Sequence, residues 1–242
     1  MKKYGVSILI GAVLTVLLMV GLAVARPGLP GLPKVPLMRE AQEGGDIDPL
    51  RTAFAQAAFR AEYDSEGMDA LRRWAVPIRI YADGGMTAED GRALDQFITL
   101  LNDRVEGLPT VSRVTSHRDA NITVRFAKLR DLPSLNPQYV EGNWGFFTFW
   151  YDDAWQIDEA LVLIATDVTS QEERNHLLLE ELVGSLGLPN DLDDQPDSII
   201  HQSWTTTQEL SELDWQLLNL LYDTRLQPGM SLRQTRRALG WQ

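Results

Sequence analysis

The chain has 242 residues, with 22 Lys and Arg against 34 Asp and Glu, a formal net charge of −12 and no cysteine. That length suits one medium domain with a real core, and the acidity argues against a nucleic-acid phosphate groove. The missing cysteines exclude disulfides, thiolate metal sites, cysteine nucleophiles and a lipidated N-terminal cysteine.

Lys2 and Lys3 precede an apolar run from Val6 to Ala25, broken only by Ser7, Thr15 and glycines. About 20 such residues cross a bilayer. The run ends Ala23-Val24-Ala25, a small-x-small pattern that a signal peptidase can cut. Residues 1–25 are therefore read as a signal anchor or a signal peptide, and the length of the run favours an uncleaved anchor. Either way the charged end stays in the cytoplasm and the remainder lies on the periplasmic side of the inner membrane. An acidic body of this kind is repelled by anionic lipid unless it is tethered.

Residues 26–45 form a Pro- and Gly-rich linker, with prolines 27, 30, 33 and 36 at every third position. This is a stiff extended spacer, the alternative being a polyproline docking motif. Residues 46–242 are read as one domain. Asp48-Pro49 marks an N-cap and first helical position, and opens a helix to about Tyr63. Trp74 to Tyr81 alternates as a strand with Ile78 and Ile80 inward and Arg79 outward. Thr87 caps a long helix, 88 to about 105, with Leu94, Phe97, Ile98 and Leu101 on one stripe. Strands are expected at 111–114, 121–127, 145–151 and 160–165, making a four- or five-stranded sheet.

Thr169 or Ser170 then starts a helix, with Ser170 and Glu173 at capping-box spacing. It reads as amphipathic and stops at Gly187. The polar stretch 192–207 is too long for a tight turn and is expected to be functional or covering. Ser211 and Asp214 start an apolar helix to Tyr222, and a short basic helix, 232–239, follows. The fold class is α+β: a mixed sheet packed against the central helix and C-terminal helices.

The stretch 170–191 carries the chemistry. A zinc-peptidase helix places two His at i and i+4, a Glu after the first, and a third ligand beyond a glycine turn. On that template Glu180 takes the first His position and Glu181 the general-base position. Gly184 takes the second His position, Gly187 the turning glycine and Asn190 the third ligand position, followed by Asp191. Glu180 with Asn190 alone makes a poor zinc site. His176 lies one turn before Glu180, and with His201 it gives a possible metal set displaced along the helix. The alternative is a partly solvated helix face with an i, i+4 contact. Adjacent residues diverge by about 100° on a helix, so Glu180 and Glu181 are not a matched acid and base across a cleft. A buried Glu181 without metal needs a raised pKa and a hydrogen-bond partner, for which Arg125 and Trp204 are candidates. His117 is read as a loop residue. No Gly-x-Ser-x-Gly nucleophile and no phosphate-cradling loop occur.

A dense aromatic run includes Trp144, Phe146, Trp150 and Trp155. Beside Asn143, Asp152 and Asp153 it reads as the lining of a groove for a peptide or glycan. The competing reading is a strand whose alternate residues, Phe147 and Phe149, face the core.

Several stretches resemble zinc peptidases of the matrix-metalloprotease type. NITVRFA at 121–127 is similar to their edge strand, DSII at 197–200 to their Met-turn with Ile200 in place of Met, and LSELDWQLLNLLY at 210–222 to their last helix with its acidic capping position. Together RRWAVPIRIY (72–81), EELVGSLGLPND (180–191), PDSII (196–200) and YDTRLQPGM (222–230) resemble a bacterial family designated domain of unknown function 2927, over roughly residues 50–232. That resemblance implies a signal or anchor, a zincin-like C-terminal half and a degenerate zinc motif in which Glu-Glu is usual. A Gln is common in the family where this chain has Gly184. The expected function is an envelope binding module for a protein or peptide, without zinc hydrolase activity. No cofactor is expected, although zinc or another divalent cation stays open. The alternatives are a divergent metal-dependent hydrolase using Glu181 as base, and a purely structural envelope role.

Overall fold

The computed structural model describes residues 5–10, 48–59 and 70–241. Most of the predicted membrane segment, all of the predicted linker and the end of the first helix lie outside the described residues. The elements in chain order are β1 (Gly5–Ile10), α1 (Pro49–Phe59), β2 (Arg73–Trp74), β3 (Ile78–Gly84), α2 (Ala88–Arg104) and β4 (Val111–Arg113). Then come β5 (Ile122–Ala127), α3 (Leu132–Leu135), β6 (Gly145–Tyr151), β7 (Gln156–Ala165), α4 (Gln171–Ser185), α5 (Glu212–Leu221) and α6 (Leu232–Ala238).

One sheet runs β1-β6-β7-β5-β3-β4, and β2 pairs with β7. The pairs β3–β4, β3–β5, β5–β7 and β2–β7 are parallel; β6 is antiparallel to both β7 and β1. The sheet is therefore mixed, and α+β is the observed class. Several details differ from expectation, beginning with the seven strands of the sheet where four or five are predicted. Pro77 lies between β2 and β3, where a proline has no N–H for the ladder, so the predicted strand 74–81 divides in two. NITVRFA is also not an edge strand: β5 is central, flanked by β3 and β7. Its alternating pattern fits either place, because the residues between Ile122, Val124 and Phe126 emerge on the other face of the sheet. At the N-terminus, Gly5–Ile10 is a strand in this structure, where the sequence predicts an apolar span from Val6 onward.

Period-two alternation sorts the side chains. Ile78, Ile80, Ile122, Val124, Phe126, Phe147, Phe149, Val162 and Ile164 join α1, α2, α4 and α5 in the main core. On the opposite face Phe146, Leu163 and Ala165 form a second core with Leu132 of α3. Four helices begin with complete capping boxes: Thr87–Asp90, Ser170–Glu173, Ser211–Asp214 and Ser231–Gln234. Each satisfies donors that a helix start leaves orphaned.

The buried C-terminal end of α4 needs partners for its last carbonyls. Trp74 Nε1 donates to the Ser185 carbonyl (3.0 Å), and the Tyr222 hydroxyl donates to that of Leu186 (2.8 Å). Arg73 does the same for the end of α5, donating to the carbonyls of Leu221, Asp223 and Leu226.

Asp214 joins the start of α5 to the turn before it. Its carboxylate accepts from Ser198 Oγ, the Ile199 N–H (2.9 Å), and the Ser211 N–H and hydroxyl (both 2.8 Å). The acid is buried, so removing it orphans several donors at once. Asp214→Ala is expected to cost about 3 kcal/mol or more. Urea unfolding checks this; a loss below about 1 kcal/mol, the scale of one ordinary hydrogen bond, contradicts the assignment.

Candidate functional site

Ser170 begins α4 and the helix runs through the template positions. Its first turn is partly exposed, but from His176 to Leu192 every residue is buried. α4 packs on β6, β7 and α2. An amphipathic helix is thus the wrong description of its second half, which is enclosed on all sides as apolar-all-round helices are. Glu180 and Glu181 lie inside that stretch.

Glu181 is 0 % exposed, and neither carboxyl oxygen has a hydrogen-bond partner among the described residues. Its Oε1 abuts the backbone of Gly145 at the start of β6, so closely that a Cβ there would overlap it and would also press on Leu177. Glu180 is 3 % exposed. Burial pushes both carboxyls well above the ordinary range. Asp191 adds repulsion to both, and Glu180 adds to Glu181.

His176 Nε2 stands 3.6 Å from Glu180 Oε2, within ion-pair distance. The electrostatics favour a neutral contact. Burial lowers the His176 pKa, partly offset by the Thr207 carbonyl, and burial raises that of Glu180. A carbonyl only accepts, so the 2.9 Å contact from Nδ1 to the Thr207 oxygen places the ring proton on Nδ1. Trp204 packs edge-on against both His176 and Trp144. The stretch 192–207 therefore covers part of α4, one of the two roles that its length suggests. It seals His176.

The remaining template positions are committed to structure. At Gly184 a Cβ would collide with the ring of Phe147, which lies in the main core. Gly187 has φ +116, and a Cβ there would strike the Arg72 carbonyl, so only glycine turns the chain at this point. Asn190 Nδ2 donates to the Ala57 carbonyl (3.0 Å) and its backbone N–H does likewise, which docks α1. The Asp191 carbonyl accepts from Gln56 Nε2 (2.8 Å).

These residues do not fit a zinc ion. The second imidazole position lacks a side chain, its space is filled by a phenyl ring, and the third position is an amide engaged with the backbone. Among the described residues no three His, Cys, Asp or Glu side chains group to hold a metal. The structure joins His176 to Glu180 but does not gather His201 with them; His201 Nδ1 sits 3.3 Å from Ser203 in its own loop. Arg125 does not reach Glu181. It pairs with Asp83 at 2.8 Å, because β5 presents Arg125 on the face away from α4.

The aromatic run does not line one groove. Phe146 is fully buried beneath Tyr139, because alternation along β6 sends it to the second core. Trp144 packs on Trp204 at one end of β6. Trp155 stacks on Tyr151 beyond the other end, and the Arg72 guanidinium lies about 5 Å from both rings. Trp150 lines a separate cleft of about 240 Å³ with Thr123, Arg125 and Glu159. His117 lies in a 3-10 turn and packs edge-on against Tyr81. Sequence reasoning missed Gly145 and the second role of Phe147. The only signal for either was a glycine opening an aromatic strand.

The family model described as protein of unknown function (DUF2927) matches residues 48–240. The chain belongs to this family. No curated protein matches it. Several solved chains are similar, among them two of myroilysin. "Structure of Myroilysin" is 15 % identical, with 63 % of this chain and 82 % of that chain covered and a TM-score of 0.38. "Crystal structure of myroilysin" is 16 % identical, with 81 % and 100 % covered and the same TM-score.

In this DUF2927 domain Gly184 and Phe147 share one volume. Gly184→His alone is expected to destabilise by about 3 kcal/mol or more, since overpacking a core typically costs 1–3 kcal/mol before a polar ring is added. Gly184→His with Phe147→Ala is expected to be less than additive. A double-mutant cycle by urea unfolding tests this, and independent losses from the two substitutions contradict the shared volume.

The buried carboxyls set a pH dependence. Below about pH 4.5, the ordinary value, folded and unfolded chains both keep these protons. As pH rises above it, the unfolded chain releases them while the native state retains them. Native stability therefore falls by up to about 1.4 kcal/mol per pH unit for each such group, until the folded pKa is reached. Glu181→Gln is expected to flatten this decline, leaving stability at pH 4 little changed and raising it at pH 7. Unfolding free energies across pH 4–8 decide, and equal slopes for parent and variant would show Glu181 ionising normally.

Proposed function

We propose that this chain is a zincin-like domain of the cell envelope, anchored or exported through residues 6–25, that binds a protein or peptide and does not hydrolyse it. The observation carrying this reading is the Phe147 ring in the space where the template needs its second imidazole. A general base must reach water and substrate, whereas Glu181 is fully enclosed and next to Gly145. The net charge of −12 argues against nucleic acid as the partner.

The test is metal analysis and a peptide-library digest on the purified full-length chain, with and without added zinc, manganese and cobalt. Metal well below one ion per chain and no cleavage are expected. Near-stoichiometric zinc whose chelation unfolds the protein would sink the proposal. Cleavage that Glu181→Gln abolishes would establish the divergent hydrolase instead.

A further inference from the structure

The outer edge of β6 carries an inference about what this domain binds. Its sequence, GFFTFWY, has no charge and no proline, so it lacks the features that keep a bare edge from pairing with another chain. In the structure that edge is covered. Gly5–Ile10 runs antiparallel along it, Gly5 opposite Tyr151 and Ile10 opposite Phe146, through six successive pairs. The covering segment, GVSILI, is also uncharged. Five of its six residues belong to the apolar run read as a membrane span.

Six extended residues cover roughly 20 Å of strand. In a bilayer the same residues must satisfy their backbone groups internally, as a helix. One segment cannot occupy both places. We infer that Gly5–Ile10 is the built-in occupant of a strand-accepting edge, and that membrane insertion strips it from β6 and opens that edge to an extended, uncharged, apolar segment of a partner protein. The ladder supplies affinity and the alternate side chains supply selectivity. This rests on the envelope reading above, because only there does the bilayer compete for the segment.

The chain has no cysteine, so one engineered pair reports the contact without background. Val6 and Trp150 are register partners, and directly opposed residues of an antiparallel pair lie within disulfide reach. Full-length Val6→Cys/Trp150→Cys is made by cell-free synthesis, in buffer alone and with phosphatidylethanolamine–phosphatidylglycerol vesicles, and oxidised in each. The disulfide is expected in buffer and to fall at least about tenfold in vesicles, as a shift between two exclusive states requires. A GVSILI peptide with flanking lysines, added to the vesicle form, is expected to slow exchange of β6 amides about tenfold. A version with proline at the Ser7 and Leu9 positions is expected to do nothing.

No disulfide in buffer overturns the assignment of β1 as occupant. A chain that resists carbonate extraction yet crosslinks equally in both preparations overturns the release step, as does an inserted chain whose β6 amides ignore the peptide. A chain washed off by carbonate overturns the membrane reading and the release step together, while the buffer crosslink still decides occupancy.

Discussion

Enclosing α4 on every side is the constraint that the rest of this structure meets. The helix lies on β6 and β7, with α2 beside it, and the stretch 192–207 brings Trp204 and Thr207 onto His176. Each boundary solves a specific problem. Trp74 and Tyr222 satisfy the carbonyls at its end, Asn190 ties the following turn to α1, and Asp214 fixes the turn that precedes α5. From His176 onward, a helix closed in this way has no face left for water. Its two adjacent carboxyls are buried for that reason, although they diverge by about 100°.

Burial of this sort has a cost that the apolar surroundings must offset. An ionised carboxylate without partners is far more expensive in a core than a neutral acid, which is why both glutamates are pushed toward the protonated form. Glu180 at least meets His176. Glu181 meets the Gly145 backbone and no hydrogen-bond partner among the described residues. A leucine or glutamine would fill that place more stably, so packing does not explain why the residue is an acid. Its position is the general-base position of the zinc-peptidase template, now with neither a neighbouring imidazole pair nor access to solvent.

Much of this was legible in the sequence because local rules and tertiary structure agree. Capping spacings at Thr87, Ser170 and Ser211 mark true helix starts, and Gly187 marks a true stop. Alternation in 121–127 gives a correct strand. It does not give the strand's place in the sheet, because period two is the same at an edge and in the centre. The enclosure of α4 was not legible either. Glu172, Glu173, Glu180 and Glu181 suggest a wet face by charge alone, and only the tertiary packing distinguishes the first pair from the second. Arg125 misled for a related reason. Alternation puts it on the face opposite Ile122, Val124 and Phe126, and only the pairing of β5 with β3 brings Asp83 beside it.

The Gly184–Phe147 contact shows how such a site becomes fixed. Residue 184 has no side chain, and an aromatic ring from β6 takes the space. Once the ring is there, any side chain at 184 overlaps it; once 184 is glycine, a smaller residue at 147 leaves a cavity, which in a close-packed core typically costs 3–5 kcal/mol for loss of a phenyl ring. Neither single change is tolerated cheaply, so placing an imidazole at 184 needs both residues to change together. The metal template is therefore blocked by packing from a neighbouring strand as well as by missing ligands. Core packing therefore holds the Gly–Phe pair in place, because a change at either position alone disrupts the contact of β6 with α4.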